Sequence, residues 1–239
     1  MNVDTDTLAY AGLPVFLERT GRLMEEIRAL TLSGAQELWA CSGRLARHNY
    51  ERFQTMDLRQ NLTPAILAYE GLQYQHMAPG VFSEDAFLYV QEHVRILSGF
   101  YGVLRPLDGV VPYRLEMQAR LPVDGAADLY AFWGKSLFEA LQECNADRVI
   151  VNLASKEYAR AVEPYIGQQD MFLTVVFAEM AGDRLKQKGT YAKMARGEMV
   201  RFLAEEGADT PERMKEFCAL GYRFCEERSD ADTYIFVKG

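Results

Sequence analysis

The chain has 239 residues, with 34 aspartates and glutamates against 26 lysines and arginines and a formal net charge of −8. Its overall field therefore repels nucleic acid and anionic membrane, so only a local basic patch can bind either. Apolar residues make up 49% of the chain, enough for a real core in one large domain or two small ones, and no linker-like stretch divides it.

Leu13, Phe16, Leu17, Leu23, Met24, Ile27 and Leu30 recur at helical spacing with Arg and Glu between them, which predicts a first helix. Ser33 caps a second helical stretch through Leu38, Trp39, Leu45, Tyr50 and Phe53, with a basic face of Arg44, Arg47 and Arg52. Thr63-Pro64 opens a short strand or a turn, and Gly71 ends the segment. Ser83-Glu84-Asp85 places a cap and first-turn acids ahead of Phe87, Val90, Val94 and Leu97, and Pro106 stops any helix that follows. Asp128 to Leu141 reads as an amphipathic helix with Phe132 and Trp133 on its core face.

Arg148 to Leu153 reads as a buried strand that delivers Ser155 to a helix start. Phe172 to Phe177 and Arg184 to Lys186 flank a Gly182-Asp183 turn, as a hairpin does. Tyr191 to Leu203 is helical, Pro211 starts another helix, and Tyr222-Arg223-Phe224 pairs with Tyr234-Ile235-Phe236-Val237 across a polar turn. Helices and hairpins alternate without a βαβ rhythm, so the expected class is α+β: one domain over residues 1–239, a mixed sheet with hairpins surrounded by helices.

Cys41, Cys144, Cys218 and Cys225 form no Cys-x-x-Cys pair, and His48, His76 and His93 are widely spaced. This predicts no metal site and no cofactor, and Cys218 and Cys225 are expected as buried thiols. There is no charged-then-apolar leader, and no apolar run approaches the roughly 20 residues needed to span a bilayer. A cytoplasmic protein is expected.

The chemistry concentrates in Leu97-Ser98-Gly99-Phe100-Tyr101-Gly102-Val103-Leu104-Arg105-Pro106-Leu107-Asp108 and in Val111-Pro112-Tyr113-Arg114-Leu115-Glu116-Met117. Two glycines, two prolines, two arginines and two acids lie among apolar residues there, a mixture that neither a core helix nor a solvated loop requires. A second polar group, Asn152, Ser155, Lys156, Glu157 and Tyr158, follows a predicted strand, where catalytic groups often sit. Tyr113, Arg114 and Glu116 can supply an acid, a clamp and a base for an enzyme acting on a small anionic substrate. Ser155 lacks a Gly-x-Ser-x-Gly elbow and a nearby histidine, which favours an N-cap.

The same two tracts resemble the signature of the YaaA family. Further blocks recur in the family's order: Asp128-Leu129-Tyr130 with Phe132-Trp133-Gly134, Val151-Asn152-Leu153-Ala154-Ser155 with Glu157-Tyr158, Tyr191-Ala192-Lys193 with Ala195-Arg196-Gly197 and Arg201-Phe202, then Gly221-Tyr222. Several ordered blocks over about 200 residues are far more specific than one glycine motif. The resemblance implies a role in the bacterial peroxide stress response that limits damage from intracellular free iron, and DNA binding through a helix-hairpin-helix-like element. Family members open with a short apolar strand ending in Ser-Pro-Ala-Lys, whereas this chain begins Met1-Asn2-Val3-Asp4-Thr5-Asp6, so that strand is expected to be lacking.

On this expectation Gly99 and Gly102 let backbone N–H groups approach a phosphate, although they lie three apart where the common hairpin has its glycines two apart. Arg105 and Arg114, with Arg95, supply charge on one lip of a cleft, and Lys193 and Arg196, near Arg201, supply it on the other. The partner is double-stranded or structured DNA, or a small anionic ligand. Lys193 and Arg196 lie at i and i+3, where like charges repel by about 0.3 kcal/mol, and a compensating anion or acid is expected. Asp108, Glu116 and Glu157 are the candidate acids, with Tyr113, Asn152 and Ser155 completing the polar network, so an anion-binding cleft and an internal ion network both stay open.

Overall fold

The computed structural model describes residues 1–143 and 145–239, so the expectations for Cys144 lie outside the described residues. The chain divides into two compact units interleaved along the sequence. The first comprises Met1–Ala68, Arg95–Cys144 and Ala154–Tyr165, and the second Tyr69–Val94, Asn145–Leu153 and Ile166–Gly239. The class is α+β, with a mixed sheet.

The helices are α1 (Leu17–Ala29), α2 (Leu32–Trp39), α3 (Gly43–Thr55), α4 (Ala65–Ala68), α5 (Leu72–Met77), α6 (Glu84–His93), α7 (Leu129–Trp133), α8 (Ser136–Gln142), α9 (Lys156–Ala159) and α10 (Gly189–Glu206). The strands are β1 (Thr63–Pro64), β2 (Ile96–Ser98), β3 (Gly102–Leu104), β4 (Gly109–Val110), β5 (Val149–Asn152), β6 (Met171–Ala181), β7 (Arg184–Lys186), β8 (Tyr222–Phe224) and β9 (Thr233–Lys238).

In the first unit α1 buries Leu17, Leu23 and Ile27 on one face, as its spacing predicts. The second predicted helix is two helices. Ala40 takes a left-handed conformation (φ 44°, ψ 48°) that ends α2, and α3 restarts after Ser42. The N-cap of α2 is Thr31 rather than Ser33, because the Thr31 hydroxyl accepts the Gly34 amide at 3.1 Å. Trp39 of α2 stacks on Phe53 of α3 with ring centroids 5.7 Å apart, which fixes the pair.

The expected helix-hairpin-helix-like element at Leu97 to Arg105 is instead a β-hairpin, β2 paired antiparallel with β3 through Ile96↔Leu104 and Ser98↔Gly102. Its turn is held by the Ser98 hydroxyl, which accepts the amides of Phe100 (3.1 Å) and Tyr101 (2.9 Å). Phe100 and Tyr101 at the tip are fully buried. Burial of two aromatic rings, with Phe100 edge-on to Phe53, favours this turn over a solvated phosphate-binding loop.

The helix predicted from Asp128 also divides, at Gly134 (φ 51°), although its start is as read: the Asp128 carboxylate accepts the Ala131 amide at 2.9 Å. Thr63-Pro64 is a strand, β1, paired with β4.

The second unit is built on the sheet β5-β6-β9-β8, with β7 forming the predicted hairpin on the far end of β6. β6 runs parallel to both β5 and β9, while β8 and β9 are antiparallel as predicted. The strand β5 is half-buried along most of its length rather than fully buried. Ala192, Ala195 and Met199 of α10 pack with Leu173, Val175, Phe177 and Phe236 of the sheet. On another face of α10, α5 crosses at Gly197, where a Cβ would overlap the Gln73 carbonyl oxygen. No described helix is long and apolar enough to cross a membrane.

Candidate functional site

The polar residues of the first unit are organised by the chain after β4. From Arg114 to Val123 the side chains at 115, 117, 119, 121 and 123 are buried and those between them are partly or fully exposed, a period-two pattern carried by backbone outside the named strands. Arg114 thereby reaches Glu116, with Nη2 2.7 Å from Oε1. The Gln118 amide donates to the Glu157 carboxylate at 3.2 Å, and the Tyr130 hydroxyl donates to the Glu157 carbonyl at 2.9 Å. Burial, followed by the charge of Glu157, raises the Tyr130 phenol above its ordinary range. The Arg114 Nε is buried without an acceptor.

Gly99 and Gly102 serve packing in this unit. A Cβ at Gly99 would lie 2.6 Å from the Leu115 carbonyl oxygen, and one at Gly102 (φ +76°) would lie 2.9 Å from both the Phe16 and Trp133 rings. The Gly99 carbonyl accepts the Trp133 indole N–H at 3.0 Å. Ser98 also bonds Tyr113, oxygen to oxygen at 2.6 Å. With both Ser98 lone pairs engaged by amides, its proton goes to Tyr113.

Asp108 closes the turn that begins at Arg105: its carboxylate accepts the Arg105 amide at 2.8 Å and its own amide donates to the Arg105 carbonyl at 3.1 Å. The Arg105 side chain is exposed. Burial raises the Asp108 carboxyl, opposed by the Arg105 amide and the charges of Arg105 and Arg95. The folded state therefore holds this proton more tightly than the unfolded chain, and stability falls as pH rises from the ordinary aspartate range through the raised value. Asp108→Asn keeps an oxygen for the Arg105 amide and is expected to flatten that decline. Urea midpoints between about pH 4 and 7 measure it, and an identical pH dependence in the variant would exclude Asp108 as the cause.

A different arrangement sits at α2 and α3. The groove between them has a volume of about 520 Å³ and is lined by Gln36, Gly43, Arg44, Arg47, His48 and Glu51, with Leu32 at its apolar end. Arg44 and Arg47 are exposed and make no ion pair among the described residues. Ser42 gives no side-chain cap to α3, so the amides of Gly43, Arg44 and Leu45 meet no acceptor among the described residues. Gln36 steadies the turn, its amide donating to the Cys41 carbonyl at 3.3 Å.

Residues 1–228 match the family described as peroxide stress protein YaaA. The chain belongs to that family. Among similar proteins, a UPF0246 protein of Agathobacter rectalis is 47% identical over 238 residues, covering 100% of this chain and 95% of the relative. One from Pediococcus pentosaceus is 48% identical over 238 residues (100% and 94%), and one from Limosilactobacillus reuteri is 49% identical over 237 residues (99% and 94%).

The YaaA signature residues fall in both units. Gly99, Gly102, Arg105, Asp108, Tyr113, Arg114, Glu116, Ser155 and Glu157 lie in the first, and Asn152, Lys193 and Arg196 in the second. Ser155 stands at the N-cap position of α9 without a side-chain cap bond. The Asn152 amide donates to the Thr174 hydroxyl at 3.3 Å. Arg201 is neutralised by Glu205 at 2.7 Å. Cys218, expected to be buried, is exposed, and Cys225 is half-buried. No three described His, Cys, Asp or Glu residues form a metal-binding group.

Two sets of residues escape the motif reading. Arg44 and Arg47 read only as a basic helix face, because Ala40, the left-handed residue at the break, is itself neither glycine nor proline. Arg19 is the other: its guanidinium bonds Ser136 at 2.6 Å and the Phe132 carbonyl, and lies 4.5 Å from the Phe132 ring centroid and 4.7 Å from that of Trp133. Its burial lowers the guanidinium from its usual range. Nothing in the local pattern of α1 distinguishes it from a surface arginine.

Proposed function

We propose that this YaaA-family chain serves the peroxide stress response by binding double-stranded or structured DNA through the α2–α3 pair, limiting iron-driven damage at the nucleic acid. The observation that carries the reading is the opening of α3, where uncapped amides lie beside two exposed arginines that no described acid neutralises. Backbone amides at a helix N-terminus favour phosphate, and flanking arginines add charge that a duplex backbone can meet along its length. In this reading the phosphate-binding turn is Ala40-Cys41-Ser42, and the Gly99–Gly102 loop supports the core. Because the whole chain is acidic, the attraction is local and short-ranged at physiological salt.

Fluorescence anisotropy of a labelled duplex, titrated across salt, tests it. The log-affinity against log-salt slope is expected to be about −0.9 per phosphate contact, and shallower by about 1.8 in Arg44→Ala/Arg47→Ala if each arginine meets one phosphate. An unchanged slope in the variant, or no binding at low salt, would remove the α2–α3 pair from this role.

A further inference from the structure

We propose that Arg196, with Lys193, forms a second site on α10 that binds a small free oxyanion, a phosphate or carboxylate group offering two acceptor oxygens. Arg196 is sheltered on α10, its Nε is buried without an acceptor, and no ion pair or hydrogen bond to it occurs among the described residues. A guanidinium keeps its proton at any physiological pH, so shelter does not remove the charge. An enclosed cation without a counter-ion costs several kcal/mol in general, and folded chains normally meet it with a carboxylate.

This unit does so elsewhere. On the same helix Arg201 meets Glu205 at 2.7 Å, and Arg148, just before β5, meets the buried carboxylate of Asp170, just before β6, at 2.6 Å. Asp108, Glu116 and Glu157, the acids that the sequence offers as partners, are engaged in the first unit with Arg105, Arg114 and Gln118. The counter-ion for Arg196 is thus not supplied by the described protein.

Lys193 lies one turn earlier on the same side of α10, is exposed, and makes no ion pair among the described residues. It is placed to add a second charge at the open end. Arg196 is half-buried with its Nε closed off, so the outer Nη groups are the ones that reach solvent, and their N–H bonds can meet two oxygens of a carboxylate or a phosphate. The helix beneath is held by the sheet through Ala195 and Met199 and by α5 at Gly197, so the guanidinium is carried on a fixed backbone.

The test is isothermal titration of the full chain with inorganic phosphate and, separately, with citrate, alongside Arg196→Gln, Arg196→Lys and Lys193→Gln. Binding of at least one anion is expected in the parent, with affinity falling about tenfold or more in Arg196→Gln and less in Lys193→Gln. Arg196→Lys, which keeps charge and loses the planar two-donor fork, is expected to fall with Arg196→Gln. Arg44→Ala/Arg47→Ala is expected to bind the anion as the parent does, which separates this site from the α2–α3 pair. Circular dichroism spectra establish that each variant is folded, and Lys193→Gln, on an exposed position, carries the test if Arg196→Gln is not. The proposal is overturned if neither anion binds the parent at about 10 mM, or if both Arg196→Gln and Lys193→Gln bind as the parent does. It is equally overturned if Arg196→Gln loses only duplex DNA.

Discussion

Gly197→Ala is expected to cost about 4 kcal/mol or more, placing it among the most damaging single substitutions available to the chain. Helix propensity alone predicts the reverse, since alanine is favoured over glycine in a helix interior by about 1 kcal/mol. Steric contact decides the sign. The added methyl would overlap the Gln73 carbonyl oxygen and stand 2.8 Å from the Met77 amide nitrogen, both of them backbone atoms of α5 that have no rotamer to change. α5 must retreat, which loosens the fully packed Met77 and strains the His76–Glu198 hydrogen bond that joins the helices. Against a total stability of about 5–15 kcal/mol, urea unfolding followed by far-ultraviolet circular dichroism should show a midpoint near the limit of measurement, or no soluble protein. A loss below about 1 kcal/mol would mean that α5 does not hold this crossing in solution.

The second large effect is expected in the first unit. Gly99→Ala puts a methyl 2.6 Å from the Leu115 carbonyl oxygen and 2.8 Å from the Glu116 carbonyl carbon, again backbone. Its φ lies outside the left-handed region, so the cost is contact and not conformation. About 3 kcal/mol is expected, the upper part of the range for overpacking. The displaced segment carries Arg114 and Glu116, and the Gly99 carbonyl holds the Trp133 indole. The Trp133 indole resonance in a proton–nitrogen correlation spectrum should therefore shift or broaden while that of Trp39 moves less. Equal stability with an unmoved Trp133 signal would contradict the packing described for Gly99.

Local rules were enough where one residue decides. Ser83 caps α6 through the Ala86 amide, Asp128 caps α7, and Gly182-Asp183 turns β6 into β7. They fail where distant packing decides. The left-handed Ala40 has no signature in its neighbours, since alanine rarely adopts that conformation, and it is held by the Trp39–Phe53 stack and Gln36. Gly99 and Gly102 invite a phosphate loop when read alone, yet the chain segments that fill their missing side-chain volumes, Leu115, Glu116, Phe16 and Trp133, are not adjacent to them in sequence. Likewise the parallel pairing of β6 with β9 joins strands separated by β7, α10, β8 and three short 3-10 turns, which no period-two pattern reveals.

The placement of β9 bears on how the protein is made. Six residue pairs, from Thr174↔Thr233 to Glu179↔Lys238, zip β9 along β6, and β8 takes its place in the sheet by pairing with β9. A chain emerging from the ribosome exposes Val175, Phe177 and their neighbours well before their partners Tyr234 and Phe236 are available. The sheet cannot close until β9 has cleared the ribosomal exit tunnel, which lengthens the interval in which an unpaired apolar strand is open to aggregation and to chaperone capture.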